Sequence, residues 1–237
     1  MSLTEHELGA MIAALCRATS LAMTAPVIGD APIRARLIFV LAIAFGIGLN
    51  RPGVTYGELP AVGSLELAMG LITGTTARFV MARVAVAGQL VGLSLGLGFA
   101  SQYDINSGES AGTLRTIFTT LASLAFLAVG GLEEIVRSAG AAPTEVTDLA
   151  MIGPGLVRQG TSAFGHGLAL AGPVVLAALV GNIGLAVLNR AAPAVNVFSI
   201  SLSAVLVLGG LVLAATQTNL IGGITDVARD AAAVLTP

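Results

Sequence analysis

The groups in this sequence that could do chemistry are few, and none is spaced for it. Glu133 and Glu134 are adjacent, and side chains one position apart on a helix point about 100° from each other. The two carboxylates therefore cannot share a proton or a substrate as a dyad, and they fit a solvated helix end. His6 and His166 are the two histidines, with no second imidazole at ligand spacing beside either. Cys16 is the only cysteine, which excludes an internal disulfide and a cysteine metal cluster and suits a small buried apolar residue. Glycines 153, 155, 165 and 167 have no preceding strand and no following Lys-Ser or acidic partner, so they make no phosphate loop. No catalytic, cofactor-binding or metal-binding residue is assigned, and no enzyme activity is expected.

One charge carries more weight than any of these. Arg17 lies in the middle of an apolar run, where a guanidinium costs about 2.5 to 3.5 kcal/mol on membrane-insertion scales. It needs a partner or a polar lumen. Pairing across a subunit contact is the expectation, with intrachain pairing to Glu66 or Glu133 as the alternative.

The elements that hold these residues follow from composition. Of 237 residues 55% are hydrophobic, only 10% are charged and 30 are glycine, with a mean hydropathy of +0.92; soluble domains carry about 25% charged residues. A membrane-embedded chain is implied. All eleven basic residues are arginine, and thirteen acidic ones leave a net charge of −2. That leaves no basic tract for nucleic acid. The N-terminus "MSLTEHELGAM" places Glu5 and Glu7 where a secretory signal carries positive charge, and Arg17 interrupts the apolar centre; no cleaved signal is expected.

A spanning helix needs roughly 20 apolar residues, and only Gly167–Leu188 and Val197–Ala215 meet that cleanly. Leu8–Ala25, Ile33–Leu49, Leu65–Ala100 and Leu114–Leu132 are short, charged or broken. Loops are marked by the glycines, prolines and small polar residues of 50–63, 101–112 and 138–155. No strand alternation competes, so the spacing predicts an all-α chain. Gly88, Gly92 and Gly96 recur every four positions, which lines one helix face with residues small enough for close helix packing, and Gly70 and Gly74 repeat the device. In "AVLNRAAPAVNVFSI" Pro193 stops a helix, Arg190 suits its C-terminus, and Asn196 can cap the next one. A helical hairpin follows. Turn chemistry does not account for Asn182 and Asn189.

The stretch "LVGNIGLAVLNRAAPAVNVFSISLSAVLVLGGLVL" resembles the most recognisable block of the FliR/SctT family, the flagellar and virulence type III secretion export-gate subunits. Asn189, Arg190, Pro193, Asn196 and Phe198 match its Asn-Arg-x-x-Pro-x-x-Asn-x-Phe hairpin turn. "APVIGDAPIRARLIFVLAIAFGIG", "GQLVGLSLGLGFASQYD", "LAFLAVGGLEEIVRSAGAAP" and "ALAGPVVLAALVGNIGLAVLNR" are similar to further family blocks in the same order, so the likeness covers nearly the whole chain. Where many members carry Asn-Gly-His, this chain has Gly130, Gly131, Leu132, Glu133 and Glu134.

The resemblance implies a mechanism without chemistry. It implies an integral membrane protein of helical hairpins packed, with FliP-like and FliQ-like subunits, into an oligomeric export-gate cone. The cone would sit in the bacterial inner membrane at the flagellar basal body, with FlhB-like and FlhA-like components nearby, and pass unfolded proteins. Residues 1–150 would correspond to the FliP-like subunit and 151–237 to the FliQ-like one. Tyr103, Asp104, Ile105, Asn106 and Ser107 would occupy the position of the family's pore plug. After "DVARDAAAVLTP" no cytoplasmic domain is expected. The likeness does not separate a flagellar from a virulence system. The rival class, a polytopic small-molecule transporter, would place ionisable residues on broken midplane helices or show repeats; the two clean spans hold no charge, and no repeat is found.

Overall fold

The computed structural model describes residues 4–46, 48, 53–96, 112–140, 149–191 and 197–234, without the side chains of 45, 140, 149–156 and 197–202. Those residues form α1 (Glu5–Thr24), α2 (Ile33–Gly46), α3 (Leu59–Ser94), α4 (Thr113–Ala128), α5 (Gly131–Gly140), α6 (Leu149–Ala191), α7 (Val197–Ala215) and α8 (Gln217–Ala233). No strand occurs among them, in line with the missing period-two pattern. Leu59–Ser94 and Val157–Ala191 are each long and apolar enough to cross a membrane. Up to four crossings result if Thr113–Ala128 with Gly131–Ala139, and Ser203–Ala215 with Gln217–Ala233, each bent by 67°, count as single spans. The chain is an all-α, multi-helix membrane protein.

The structure refines the sequence reading at two helices. The stretch read as the charged segment Leu65–Ala100 belongs, as far as Ser94, to one helix, α3, which begins at Leu59 and has 36 residues. The helix α7, Val197–Ala215, is followed across a bend at Thr216 by α8. At Thr216 both the amide and the hydroxyl donate to the Val212 carbonyl, at 2.9 and 2.7 Å, a back-bond of the kind that bends helices.

Two compact units are present. The first comprises Met1–Met81, Ser123–Gly160 and Ala228–Pro237; the second comprises Ala82–Ala122 and Thr161–Val227.

The first unit is organised on α1, which starts with a capping box: the Thr4 amide donates to Glu7 at 2.8 Å and the Glu7 amide to the Thr4 hydroxyl at 3.4 Å. These bonds satisfy two orphan helix-end donors and hold the Glu7 carboxyl below its ordinary range, the Thr4 amide first. Ala10, Ala13, Ala14, Ala18 and Ala22 are buried, so α1 offers neighbours a low-relief surface. On it α2 packs antiparallel: Phe39, Val40 and Ile43 meet Ala18 and Leu21 together with Ala139 of α5, while Gly48 comes back to Met11 and Ala14. The chain then returns to the start of α1, where the Val54 amide donates to the His6 carbonyl at 3.2 Å.

From there α3 runs parallel to α1. Gly63 lies against Cys16, Glu66 against Arg17, Gly70 against Ser20, and Gly74 against Thr24, positions that ascend together on both helices. A methyl group at Gly70 would overlap the Ser20 hydroxyl, and one at Gly74 the Thr24 hydroxyl, so glycine is what allows the approach. The hydroxyls themselves are bonded to backbone, Ser20 to the Arg17 carbonyl at 3.0 Å and Thr24 to the Ser20 carbonyl at 2.7 Å.

In the second unit, glycines again mark where helices meet. Gly88 faces Phe118 and Arg115, with a Cβ there only 2.8 Å from the Phe118 Cβ, and Gly92 faces Leu114 at 3.8 Å; later positions on α3 thus meet earlier ones on α4. Gly167 of α6 sits on Val86 and on the Arg83 carbonyl, Gly209 of α7 on Leu95, and Gly223 of α8 on Leu170.

The parallel register of α1 and α3 has a direct test. A Cβ built on Gly63 lies 3.7 Å from the Cys16 sulfur, close enough for a bridge of normal geometry after a small adjustment. Gly63→Cys is expected to form an intrachain disulfide with Cys16 on mild oxidation, read as the loss of two thiols by mass spectrometry. Two thiols still free in the folded, oxidised chain would contradict the register.

Candidate functional site

The polar centre of the first unit is Arg17. Its Nε lies 2.5 Å from Glu66 Oε2, with the two side chains 4% and 1% exposed, and its Nη1 donates to the Ser138 carbonyl of α5 at 3.3 Å. One guanidinium thus joins α1, α3 and α5. Within this chain Arg17 makes the intrachain pairing, with Glu66 rather than Glu133. The reason is geometric: the parallel approach of α3, allowed by Gly70 and Gly74, carries Glu66 to the buried face of α1. Glu133 instead pairs with Arg137 at 3.2 Å, on the next turn of its own helix, and Glu134 pairs with the same arginine at 3.0 Å.

The glycine row on α3 ends differently from its spacing. Gly88 and Gly92 lie within the helix, but Gly96 has φ +75°, and its amide donates to the Leu93 carbonyl at 3.1 Å. It is the left-handed residue that terminates α3 and does not extend the row.

For the C-terminal block, α6 ends at Ala191 and α7 begins at Val197. Gly181 faces Val205 and Leu208, so the second helix folds back along the first. Asn189 and Arg190 are exposed in the last turn of α6. Pro193 and Asn196 lie outside the described residues, as does the side chain of Phe198, and so does the whole of Tyr103, Asp104, Ile105, Asn106 and Ser107. The apolar window of α6 is only 17% buried; Leu176, Val180, Ile183, Val187 and Leu188 are more than half exposed, with Asn182 exposed among them.

Among the described residues no three His, Cys, Asp or Glu side chains come together as a metal group. His166 contacts the Ser162 carbonyl one turn back, at 2.8 Å. What the sequence reading missed are pairings between distant segments, chiefly Arg78 with Asp30 at 2.6 Å and the contact points Gly167, Gly209 and Gly223. The Glu133, Glu134 and Arg137 cluster had a local signal, because three- and four-residue spacing on a helix favours such pairs.

The buried pair makes a sharp prediction. Removing one partner strands the other charge, at a cost of about 3 to 5 kcal/mol, whereas replacing both with apolar groups is often neutral. Arg17→Ala and Glu66→Ala are each expected to abolish accumulation of the chain in membranes, and the double variant Arg17→Met, Glu66→Leu to restore it. Quantitative immunoblotting of membranes reads the result; normal accumulation of either single variant would show that the pair is dispensable.

Comparison with known proteins places this membrane chain in a family. The profile of the family described as bacterial export proteins, family 1, matches residues 8–231. The flagellar biosynthetic protein FliR of Escherichia coli (strain K12) is 29% identical over 217 residues, which cover 85% of this chain and 81% of that protein. FliR of Aquifex aeolicus (strain VF5) is 30% identical, covering 76% and 73%. FliR of Caulobacter vibrioides (strain ATCC 19089 / CIP 103742 / CB 15) is 29% identical over 234 residues, covering 90% of each. With a match that runs almost from end to end, the chain belongs to the bacterial export proteins, family 1.

Proposed function

We propose that this chain is a subunit of the flagellar type III protein export gate in the inner membrane, where it forms part of the wall and plug of the pore that passes unfolded flagellar substrates. The observation that carries this reading is the family match over residues 8–231, joined to relatives that all bear the name of a flagellar biosynthetic protein. The structure supports it physically. At about 1.5 Å per residue, α3 extends roughly 54 Å and α6 roughly 65 Å, well past a hydrocarbon layer of about 30 Å. Such helices suit a wall that continues beyond the bilayer better than a set of simple crossings. The sparse cover over α6, with Asn182, Asn189 and Arg190 exposed on it, suits neighbouring helices that offer hydrogen-bond partners, since a bare amide in lipid has none.

In this reading the chain is wall rather than catalyst. Its partners are FliP-like and FliQ-like subunits packed with it into a closed cone, with FlhB-like and FlhA-like components of the same basal body beside them. Residues 1–150 correspond to the FliP-like subunit and 151–237 to the FliQ-like hairpin. The turn residues Asn189, Arg190, Pro193, Asn196 and Phe198 fix that hairpin for assembly, and Tyr103, Asp104, Ile105, Asn106 and Ser107 fill the lumen at rest.

The reading is tested by purification from membranes under native expression. A tagged chain is expected to bring down FliP-like and FliQ-like subunits as one complex, and to be unstable or polydisperse when made without them. Recovery of a stable, monodisperse monomer that binds neither would contradict it.

A further inference from the structure

Between α1 and α2 the segment Ala25–Pro32 holds a backbone conformation that its residues disfavour. Val27 has φ +68° and is the one non-glycine residue with positive φ among those described. For a β-branched side chain that region is a genuine outlier. The Ile28 amide donates to the Pro26 carbonyl at 2.8 Å, closing a three-residue turn about Val27 of the rare, strained γ class. A second bond, from the Gly29 amide to the Ala25 carbonyl at 2.9 Å, folds the segment over the end of α1, and Pro26, Ile28 and Gly29 are buried there.

What holds the turn comes from elsewhere in the chain. Arg78, on α3, places Nη2 2.6 Å from Asp30 Oδ1, and its Nη1 fills the space beside Gly29 where a Cβ would be 2.8 Å away. Arg36 of α2 adds a bond from Nε to the Ala31 carbonyl at 2.8 Å. The Arg78 and Asp30 side chains are 45% and 68% exposed, so a charge on an approaching chain can compete for either. Strain of this kind persists only where the surroundings over-determine it, and it concentrates at switch regions.

We infer that Ala25–Pro32 is a latched spring: Arg78, through Asp30 and Gly29, keeps the Val27 turn closed against its own strain, and loss of that grip lets the connector extend and frees α2 to move on α1. The latch is a property of this chain's fold; its use, to let the wall shift during export, rests on the reading above.

Hydrogen exchange on the full chain, purified with the subunits that accompany it, tests the latch at the Ile28 and Gly29 amides. Asp30→Asn is expected to speed their exchange about two- to fivefold, while exchange across Ala10–Ala22 stays unchanged. Val27→Gly relieves the strain and is expected to slow it by roughly threefold or more, and the double variant should fall back toward the wild type. An unstrained loop would respond with the opposite sign, because glycine would loosen it. Unchanged exchange in Asp30→Asn, or faster exchange in Val27→Gly, overturns the latch. Swimming of a host deleted for its own copy tests the use: Val27→Gly at normal abundance should swim more slowly. Wild-type swimming with slowed exchange would show static strain and overturn the switch. Failure of even the wild-type chain to restore swimming would instead strike the export reading and leave the exchange result to decide the latch.

Discussion

Burying Arg17 obliges the chain to bury Glu66 beside it, and much of the first unit follows from that obligation. A lone guanidinium or carboxylate in an apolar interior is a large unfavourable term, so α1 and α3 must meet at one register, with Nε and Oε2 2.5 Å apart. The two helices meet there in parallel, and an antiparallel helix lies between them in sequence. That is α2, which returns the chain to the level of His6 before α3 begins. The close approach in turn requires glycine at 70 and 74 and small residues on α1. Ser138 of α5 completes the shell around the guanidinium.

Other charges follow the same logic with less burial. Arg137 bridges Glu133 and Glu134 on its own helix, and Arg78 reaches Asp30. The absence of lysine from the chain agrees with these roles: the planar guanidinium has several donors and is held charged, so one side chain can satisfy two acceptors on different elements. In the second unit glycine marks the close helix contacts. Gly88, Gly167, Gly209 and Gly223 each take the place where a side chain would collide with a neighbour.

How much of this was legible in the sequence depended on the range of the interaction. Helical class and membrane character followed from composition, and the two ends of the α6–α7 hairpin, Ala191 and Val197, fall where the turn residues indicated. Arg17 was visible as a charge needing a partner. The choice between Glu66 and Glu133 was not, because it depends on the direction of α3, and no local pattern encodes that. Gly88, Gly92 and Gly96 look alike as a four-residue repeat, yet Gly96 ends the helix; only the backbone φ separates a packing glycine from a terminating one. The first turn of α3 was missed because its start rests on Thr55, whose hydroxyl donates to Glu58 at 2.8 Å and holds that carboxyl below its usual range, in a stretch that reads as loop. The bend at Thr216 and the strained turn at Val27 have no sequence signal of their own.

A set of helices tied by buried charge and glycine contact suits the proposed export-gate wall, and that proposal can be measured directly. The decisive quantity is the amount of flagellar substrate protein released into the medium by a host deleted for this chain, compared with the same host carrying it on a plasmid. The account requires that release fall to background in the deletion and return with the wild-type chain. Substrate release that continues at the parental level in the deleted host would contradict it.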